Sequence, residues 1–493
     1  MNLAKSLETN ALRRPNHPAI IEKTGVTSHR EFNDMVKKRA ALLCQLGAKT
    51  GKIVGVNLQD TAEHLAVLFA LARIGVAALP MDWRWTDSEK SSLTAFFKPC
   101  IVISDPADSF GEIKGTWKSV KADDNWLSSV NSANPKAAPL ATGDPPLLLA
   151  LSSGTTGIPK GPLISHKQFF ARFLIYFSTL GFSERTRYLC ATPLYFGGSR
   201  GYSMCSIFSG GTTILYPPPY EMSDLVEFSE RQRATKLFLV PTLLRRLMEL
   251  PPRPDGKPIM KTLNLLFSTG SILHPEERST LMRTIAPNYL NFYGSTDGGG
   301  ATALFWDDPP DVSSSVGQPV FGAVVEITDK NDKPVKSGEI GQIRYKHPGT
   351  ATGYFNDPIQ SGEAFRNGWY YPGDLGWKDK NGYLYLAGRA KDIIIRGGVN
   401  IYPAEIEHTL TRHKAIRDAA VVSWPSPKFG EEIAAFVVRN ELETNESDLL
   451  NWCSAHLAPY KIPRKIFTLK DLPKSNVGKV LKAELSKRLP LIK

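Results

Sequence analysis

Residues 151–165 read LSSGTTGIPKGPLIS, and this crowding of glycine, hydroxyl and a single lysine sets how the rest of the chain is read. Gly154 and Gly157 permit positive φ and close backbone approach, Ser152, Ser153, Thr155 and Thr156 offer hydroxyls, and Lys160 adds a mobile positive charge. Such a loop suits a polyphosphate. A Walker A loop needs GxxxxGK[ST], with a hydroxyl directly after the lysine to reach magnesium. Here Pro159 stands where the second glycine belongs and Gly161 where Ser or Thr belongs, which excludes a kinase or GTPase loop. Taken alone, the stretch would also read as a Ser/Gly-rich surface turn. Its company elsewhere in the chain decides against that.

The chain has 493 residues, 42% hydrophobic and 22% charged, an ordinary globular composition long enough for two or more domains. Its five cysteines, Cys44, Cys100, Cys190, Cys205 and Cys453, are scattered, with no CxxC spacing. That argues for a reducing compartment and against a zinc site or disulfide framework. The N-terminal MNLAKSLETNALRRPNHPAII lacks the apolar core of a secretion signal, so a cytoplasmic location is expected. The most apolar stretch, His64 to Met81, is broken by Arg73, Gly75 and Pro80 and reads as a buried helix followed by a strand, short of a membrane span. Of the net charge of +12, a surplus of eight falls between Lys461 and Lys493. No aromatic-interleaved basic motif or helix-turn-helix signature accompanies it, which favours polyanionic small molecules over nucleic acid.

Helical segments alternate with short apolar or β-branched runs, IVGVNL, CIVIS, TKLFLV and LNLLFSTG, through the first 300 residues and predict parallel α/β layers. From Val316 the pattern changes to short strands with glycine turns, as in AVVEITDKNDKPV and EIGQIRY. The fold expected is α/β: a large N-terminal domain (1–387) of layered sheets with a small β-rich subdomain (316–387), then a small mobile α+β domain (393–493). The joint expected between them, at 388–392, is the polar crossing Gly388-Arg389-Ala390-Lys391-Asp392 between LYLAG and IIIRG.

Five further segments follow the loop or flank it in a telling order: Thr192-Pro193-Leu194-Tyr195-Phe196-Gly197-Gly198-Ser199, Asn291-Phe292-Tyr293-Gly294-Ser295-Thr296-Asp297, Tyr370-Tyr371-Pro372-Gly373-Asp374, GRAKDIIIRGGVNIYPAEIE from Gly388, and Pro473-Lys474-Ser475-Asn476-Val477-Gly478-Lys479. Together with residues 151–165 they resemble the adenylate-forming superfamily of acyl-CoA synthetases, luciferases and peptide-synthetase adenylation domains, most closely an acyl- or aryl-CoA ligase. The resemblance runs from the phosphate loop almost to the chain end.

The resemblance implies ATP, Mg²⁺ and coenzyme A as cofactors, and roles follow motif by motif. Ser152, Ser153, Gly154, Thr155, Thr156, Gly157 and Lys160 would cradle phosphate. Tyr293 would stack on adenine beside Gly294, and Thr296 would bond the α-phosphate. Asp297 would hold magnesium, although the family pattern has Glu there and Asp is shorter by one methylene. Asp374 would accept the ribose hydroxyls and Arg389 would contact ribose and phosphate. Lys391 would be the pivot of the C-terminal domain, and Lys479, on its glycine loop, the lysine delivered to the carboxylate and α-phosphate oxygens. Gly397 and Gly398 would border the pantetheine arm, with Phe429 and Tyr460 flanking the adenine of coenzyme A and Lys461 and Arg464 near its phosphates.

For the acid itself, the expected lining is Phe196, Gly197, Gly198, Phe292, Gly298, Gly299 and Gly300, apolar and roomy, with Phe196 where the family pattern has His. No aspartate stands between Tyr195 and Ser199 to pair with an ammonium, so a free α-amino acid is disfavoured and a hydrophobic aryl or fatty carboxylate fits. The implied reaction is carboxylate attack on the α-phosphate of ATP, then thiol attack on the acyl-adenylate, with catalysis by Lys479, Thr296 and Lys160. A separate carrier-protein thiol as acceptor, a luciferase-like oxygenase, and a non-catalytic adenylate sensor remain as alternatives.

Overall fold

The structure, a computed structural model, describes residues 1–108, 115–151, 161–271, 273–440, 442–474 and 480–490. The expected α/β architecture is present: two large layered sheets and a smaller β-rich sheet form the N-terminal domain, and a fourth sheet forms the small C-terminal domain.

The first sheet has six strands in the order Lys118–Lys121, Ile101–Ser104, Ile53–Asn57, Ala77–Pro80, Pro146–Leu149 and Leu163–Ser165. All pairs are parallel except the last, an antiparallel pair whose connection contains the glycine-rich loop. The second sheet has nine strands, with Tyr289–Ser295, Leu265–Ser268, Lys236–Phe238, Arg187–Cys190, Thr212–Leu215 and Pro18–Glu22 in a parallel centre and antiparallel strands at both edges. The runs IVGVNL, CIVIS, TKLFLV and LNLLFSTG all fall on strands.

One apolar core joins the two sheets. Helix Ala62–Ile74 runs through it, buried at every position but Glu63, because its sequence is apolar all round. Gly75 ends it at φ 69, and strand Ala77–Pro80 follows, as His64 to Met81 predicted. Strand residues alternate between layers: Tyr188 and Cys190 enter the shared core while Leu189 faces the helices on the far side of its sheet. Among the described residues no helix is long and apolar enough to cross a membrane.

The third sheet gathers Val324–Thr328, Gly341–Lys346, Phe365–Arg366, Trp369–Tyr370, Asp374–Lys378 and Leu384–Arg389, all antiparallel. A single 3-10 turn, Ala390–Asp392, then leads to Ile394–Arg396, which belongs to the fourth sheet with Val399–Ile401, Ile416–Ser426, Gly430–Arg439 and Lys465–Leu469. Helices Pro403–Thr411 and Glu446–His456 cover one face of that sheet through Ile406, Leu410, Leu449 and Cys453. Leu472 and Leu485 cover the other.

Candidate functional site

A continuous cleft of about 2650 Å³ is lined by the large N-terminal domain, the small C-terminal domain and most of the motif segments. Pockets for one drug-sized ligand are on the order of 300–1,000 Å³, so this volume accommodates a nucleotide together with a second molecule.

The wall expected to face the nucleotide is built on strand Tyr289–Ser295. Its register shifts between Tyr293 and Gly294, and a side chain at Gly294 would meet the Gly299 carbonyl at 2.4 Å, so glycine is required where the two strands close up. The shift brings the Tyr293 hydroxyl to Asp374, to which it donates at 2.6 Å. Asp374 opens the strand Asp374–Lys378 opposite Arg389, and the guanidinium Nε completes an ion pair with its carboxylate at 2.8 Å. Burial, then the Asp374 charge, pushes the Tyr293 hydroxyl well above its usual range and keeps it a donor. Tyr293, Asp374 and Arg389, drawn from three separate motifs, thus form one hydrogen-bonded group on the cleft wall.

Arg172 holds the next segment in place. It lies on helix His166–Leu180, which starts at a capping box between Ser165 and Gln168 and ends at Gly181 with φ 63. Although only 6% exposed, Arg172 donates to three carbonyls: Gly349 at 2.9 Å, Thr296 at 2.8 Å and Asp297 at 3.0 Å. Its fork therefore ties Thr296 and Asp297 to the 347–350 loop. The position a side chain at Gly197 would take lies 3.4 Å from Thr296 Cγ2, so helix Gly197–Phe208 begins directly against Thr296.

Asp297 is buried on the cleft wall, where its carboxylate accepts from the hydroxyls of Tyr354 at 3.0 Å and Tyr370 at 3.3 Å. Burial first, then the Asp297 charge, raises both phenols, so both remain protonated donors. Among the described residues there is no group of three or more His, Cys, Asp or Glu able to hold a metal ion. Mg²⁺ does not need such a cage, since one or two carboxylates together with substrate phosphates hold it. Asp297, fixed by two phenols and facing the cleft, fits that pattern.

The acid side differs from expectation. Phe196, Gly197, Gly198, Phe292, Gly299 and Gly300 line the cleft, but Gly298 does not. A side chain at Gly298 would meet the Tyr345 hydroxyl at 2.3 Å, at Gly299 His347 Nε2 at 2.4 Å, and at Gly300 Phe292 Cζ at 2.3 Å. The direction a side chain would take at these glycines is therefore occupied by rings of the protein itself, while Gly299 and Gly300 still border the cleft. Nor is the wall apolar: Arg172, Tyr176 and Arg200 line it as well. Single buried arginines on helices have no motif around them, so nothing local in the sequence announced them.

From the C-terminal domain, Lys391 lines the cleft, as do Lys474 and Val480, which bracket the lysine motif and pair with each other across an antiparallel bridge. Lys474 is held by Asp418 at 2.6 Å and Lys482 by Glu407 at 2.7 Å. The residues assigned to coenzyme A lie outside the cleft. Phe429 lies under the Arg396 guanidinium, Arg396 also reaches the Tyr460 carbonyl, and the Gly397 amide donates to the Phe429 carbonyl. Gly398 adopts φ 84 beside them. Lys461 pairs with Glu405 at 2.7 Å, and Arg464 sits apart over the Trp424 ring. Ser152, Ser153, Gly154, Thr155, Thr156, Gly157, Lys160 and Lys479 lie outside the described residues. Leu151, directly before that first stretch, lines the cleft.

One contact between the domains is sensitive to protons. His274 caps helix Pro275–Thr284 and faces His408 of helix Pro403–Thr411, with the two Nδ1 atoms 3.4 Å apart, while Thr411 Oγ1 lies 3.3 Å from His274 Nε2. Nδ1 facing Nδ1 admits one proton, not two. Burial lowers both histidines below their usual 6.5; Glu277, which also pairs with Arg245, opposes this for His274, and Arg412 adds to it for His408. A depressed histidine means the separated domains take up protons more readily. The contact is therefore at full strength above about pH 6.5 and weakens as the pH falls below it. Protection factors of the amides in residues 403–411, which remove the intrinsic pH dependence of exchange, should fall between pH 7.5 and 5.5, and His274→Gln should flatten that dependence; identical profiles for the two proteins would contradict this.

Residues 7–355 match the family model described as AMP-binding enzyme, and residues 405–479 that described as AMP-binding enzyme C-terminal domain. The chain belongs to the AMP-binding enzyme family. It is 28% identical to an indoleacetate–CoA ligase of Aromatoleum aromaticum and 27% identical to a long-chain fatty acid–CoA ligase of Mycobacterium tuberculosis, in each case over 98% of both chains. The ATP-bound crystal structure of MatB from Rhodopseudomonas palustris superposes with a TM-score of 0.91 at 26% identity, covering 99% of each chain.

Proposed function

We propose that this member of the AMP-binding enzyme family is an ATP-dependent carboxylic acid:coenzyme A ligase that forms an acyl-adenylate and then a thioester. The observation that carries this reading is the convergence of Tyr293, Thr296, Asp297, Asp374, Arg389 and the bracket of the lysine motif on one cleft large enough for two ligands. Relatives along the full length are acid–CoA ligases, which supports the same chemistry.

A carboxylate is a poor electrophile, so a leaving group has to be attached first. One carboxylate oxygen attacks the α-phosphorus of ATP and pyrophosphate departs with the other bonding pair. Thr296, held by Arg172, donates to the α-phosphate, Asp374 and Arg389 orient the ribose, and Lys160 and Lys479 offset the charge that develops on the transferring group. Mg²⁺, held by Asp297 and the substrate phosphates, neutralises phosphate charge when bound. No side-chain nucleophile is required. Turning about Lys391 withdraws Lys479 and exposes the acyl carbonyl to the thiol of coenzyme A, whose sulfur displaces AMP. Gly397, Gly398, Phe429, Tyr460, Lys461 and Arg464 would receive coenzyme A in that second arrangement.

Pyrophosphate release measured over a panel of aryl, fatty and dicarboxylic acids, followed by thioester formation with coenzyme A or a carrier protein, tests the reading. Acid-dependent pyrophosphate together with a coenzyme A thioester is expected. Thioester on the carrier alone would move the acceptor to a protein, and no pyrophosphate with any acid would remove the enzyme reading.

A further inference from the structure

The acid side of the cleft carries a positive charge to which the described residues supply no counter-ion. Arg200, on the first turn of helix Gly197–Phe208, is 2% exposed and lines the cleft. Its Nη1 donates to the carbonyls of Leu194 at 3.0 Å and Tyr195 at 2.7 Å, whereas its buried Nε has no acceptor. Burial lowers its pKa only to about 10, so it stays charged at neutral pH; Tyr176 supports that charge and the second cation, Arg172, opposes it. No ion pair among the described residues includes it; of the other buried cations Arg39, Arg73 and Lys90 pair with Glu63, Glu8 and Asp108, whereas Arg172, Arg278 and Lys236 have no ion pair among the described residues either, and of these three Arg172 and Arg278 also line the cleft.

An uncompensated buried guanidinium is costly, and a partner that enters with the substrate relieves the cost. The surroundings are shaped for such a partner. Gly201, the next residue, has no side chain, and a Cβ there would meet the Tyr176 hydroxyl at 3.4 Å. That hydroxyl makes no hydrogen bond among the described residues and feels both Arg172 and Arg200. Gly197, at the start of the same helical turn, abuts Thr296, so one turn of helix connects the reacting side of the cleft to the charge.

We propose that Arg200 determines the choice of acid by receiving, with Tyr176, a second carboxylate carried by the substrate away from the one that is activated. Nε, which finds no acceptor among the described residues, is the guanidinium N–H left for a carboxylate oxygen. The assignment rests on the acid–CoA ligase reading and narrows the hydrophobic acid expected from sequence to an acid with a distal negative charge.

The test compares a series of aliphatic and aryl dicarboxylic acids with their mono-methyl esters, which keep length and lose one charge. In the wild-type protein at least one diacid should exceed its half ester in kcat/KM by about tenfold or more, and Arg200→Met should lower that ratio at least about tenfold while Arg200→Lys retains part of it. A merely structural role for Arg200 would lower both substrates alike and leave the ratio in place, which overturns the proposal, as does a wild-type protein that prefers half esters throughout. Calorimetric binding of the same pairs keeps the result separate from turnover. Diacid binding that weakens in Arg200→Met supports the assignment even if no pyrophosphate is released, an outcome that would fail the ligase reading alone; equal binding of diacid and half ester overturns it.

Discussion

Replacing Lys479 by alanine is expected to lower acid-dependent pyrophosphate formation by about 10³-fold, while conversion of a supplied acyl-adenylate to thioester should continue. The magnitude follows from removing one preorganised positive charge at the point where negative charge builds up. The asymmetry follows from where the lysine motif is anchored. Lys474 and Val480 bracket it on the cleft wall, and Asp418 and Glu407 fix Lys474 and Lys482 on either side. All four anchors belong to the C-terminal domain, so the proposed rotation of that domain would carry the lysine away before the thiol attacks. The measurement is single-turnover kinetics of each half-reaction. Equal loss in both halves would contradict a role confined to adenylation.

Arg172→Met is expected to lower kcat by about 10²-fold, the loss typical of a misplacement of about 1 Å in reacting groups. The variant leaves the carbonyls of Gly349, Thr296 and Asp297 buried without their donor, at a cost of about 1–3 kcal/mol for each acceptor that finds no replacement. Thr296 and Asp297 then lose the anchor that, in the proposed reading, would aim them at phosphate and metal. Arg172→Lys restores little, because an ammonium lacks the planar fork that spans three carbonyls. KM for ATP and kcat, measured together with amide exchange over residues 295–299 and 347–350, separate this from a general loss of folding. A variant with normal turnover, or with uniformly raised exchange across the whole chain, would contradict the positioning role.

Legibility in the sequence followed the range over which each feature is determined. The strands were readable because β-branched and apolar runs bounded by glycine act locally, and the helix Ala62–Ile74 because it is apolar on every face. Sheet order was not, since Pro18–Glu22 pairs with Thr212–Leu215 across nearly the whole N-terminal half of the chain. The site divides in the same way. Tyr293, Asp374 and Arg389 sit in contiguous motifs whose turns are encoded by their own glycines, and the structure joins them through direct hydrogen bonds.

Arg172, Tyr176, Arg200 and Tyr354 take their places through tertiary packing alone. An arginine inside a helix reads as a solvated residue until the fold buries it. The glycine run at 298–300 was only partly legible for a related reason: absence of a side chain signals close approach without saying what approaches, and here Tyr345, His347 and Phe292 stand where side chains would go while Gly299 and Gly300 border the cleft. The domain contact through His274 and His408 was equally silent, because residues 134 positions apart share no local pattern.

The central claim is that a carboxylate oxygen bonds to the α-phosphorus of ATP within this cleft. The most direct measurement uses an acid labelled with ¹⁸O in its carboxylate and mass analysis of the nucleotide product. Thiol attack breaks the acyl carbon–oxygen bond, so AMP should leave carrying one labelled oxygen. Unlabelled AMP, or ADP with labelled inorganic phosphate, would contradict the account.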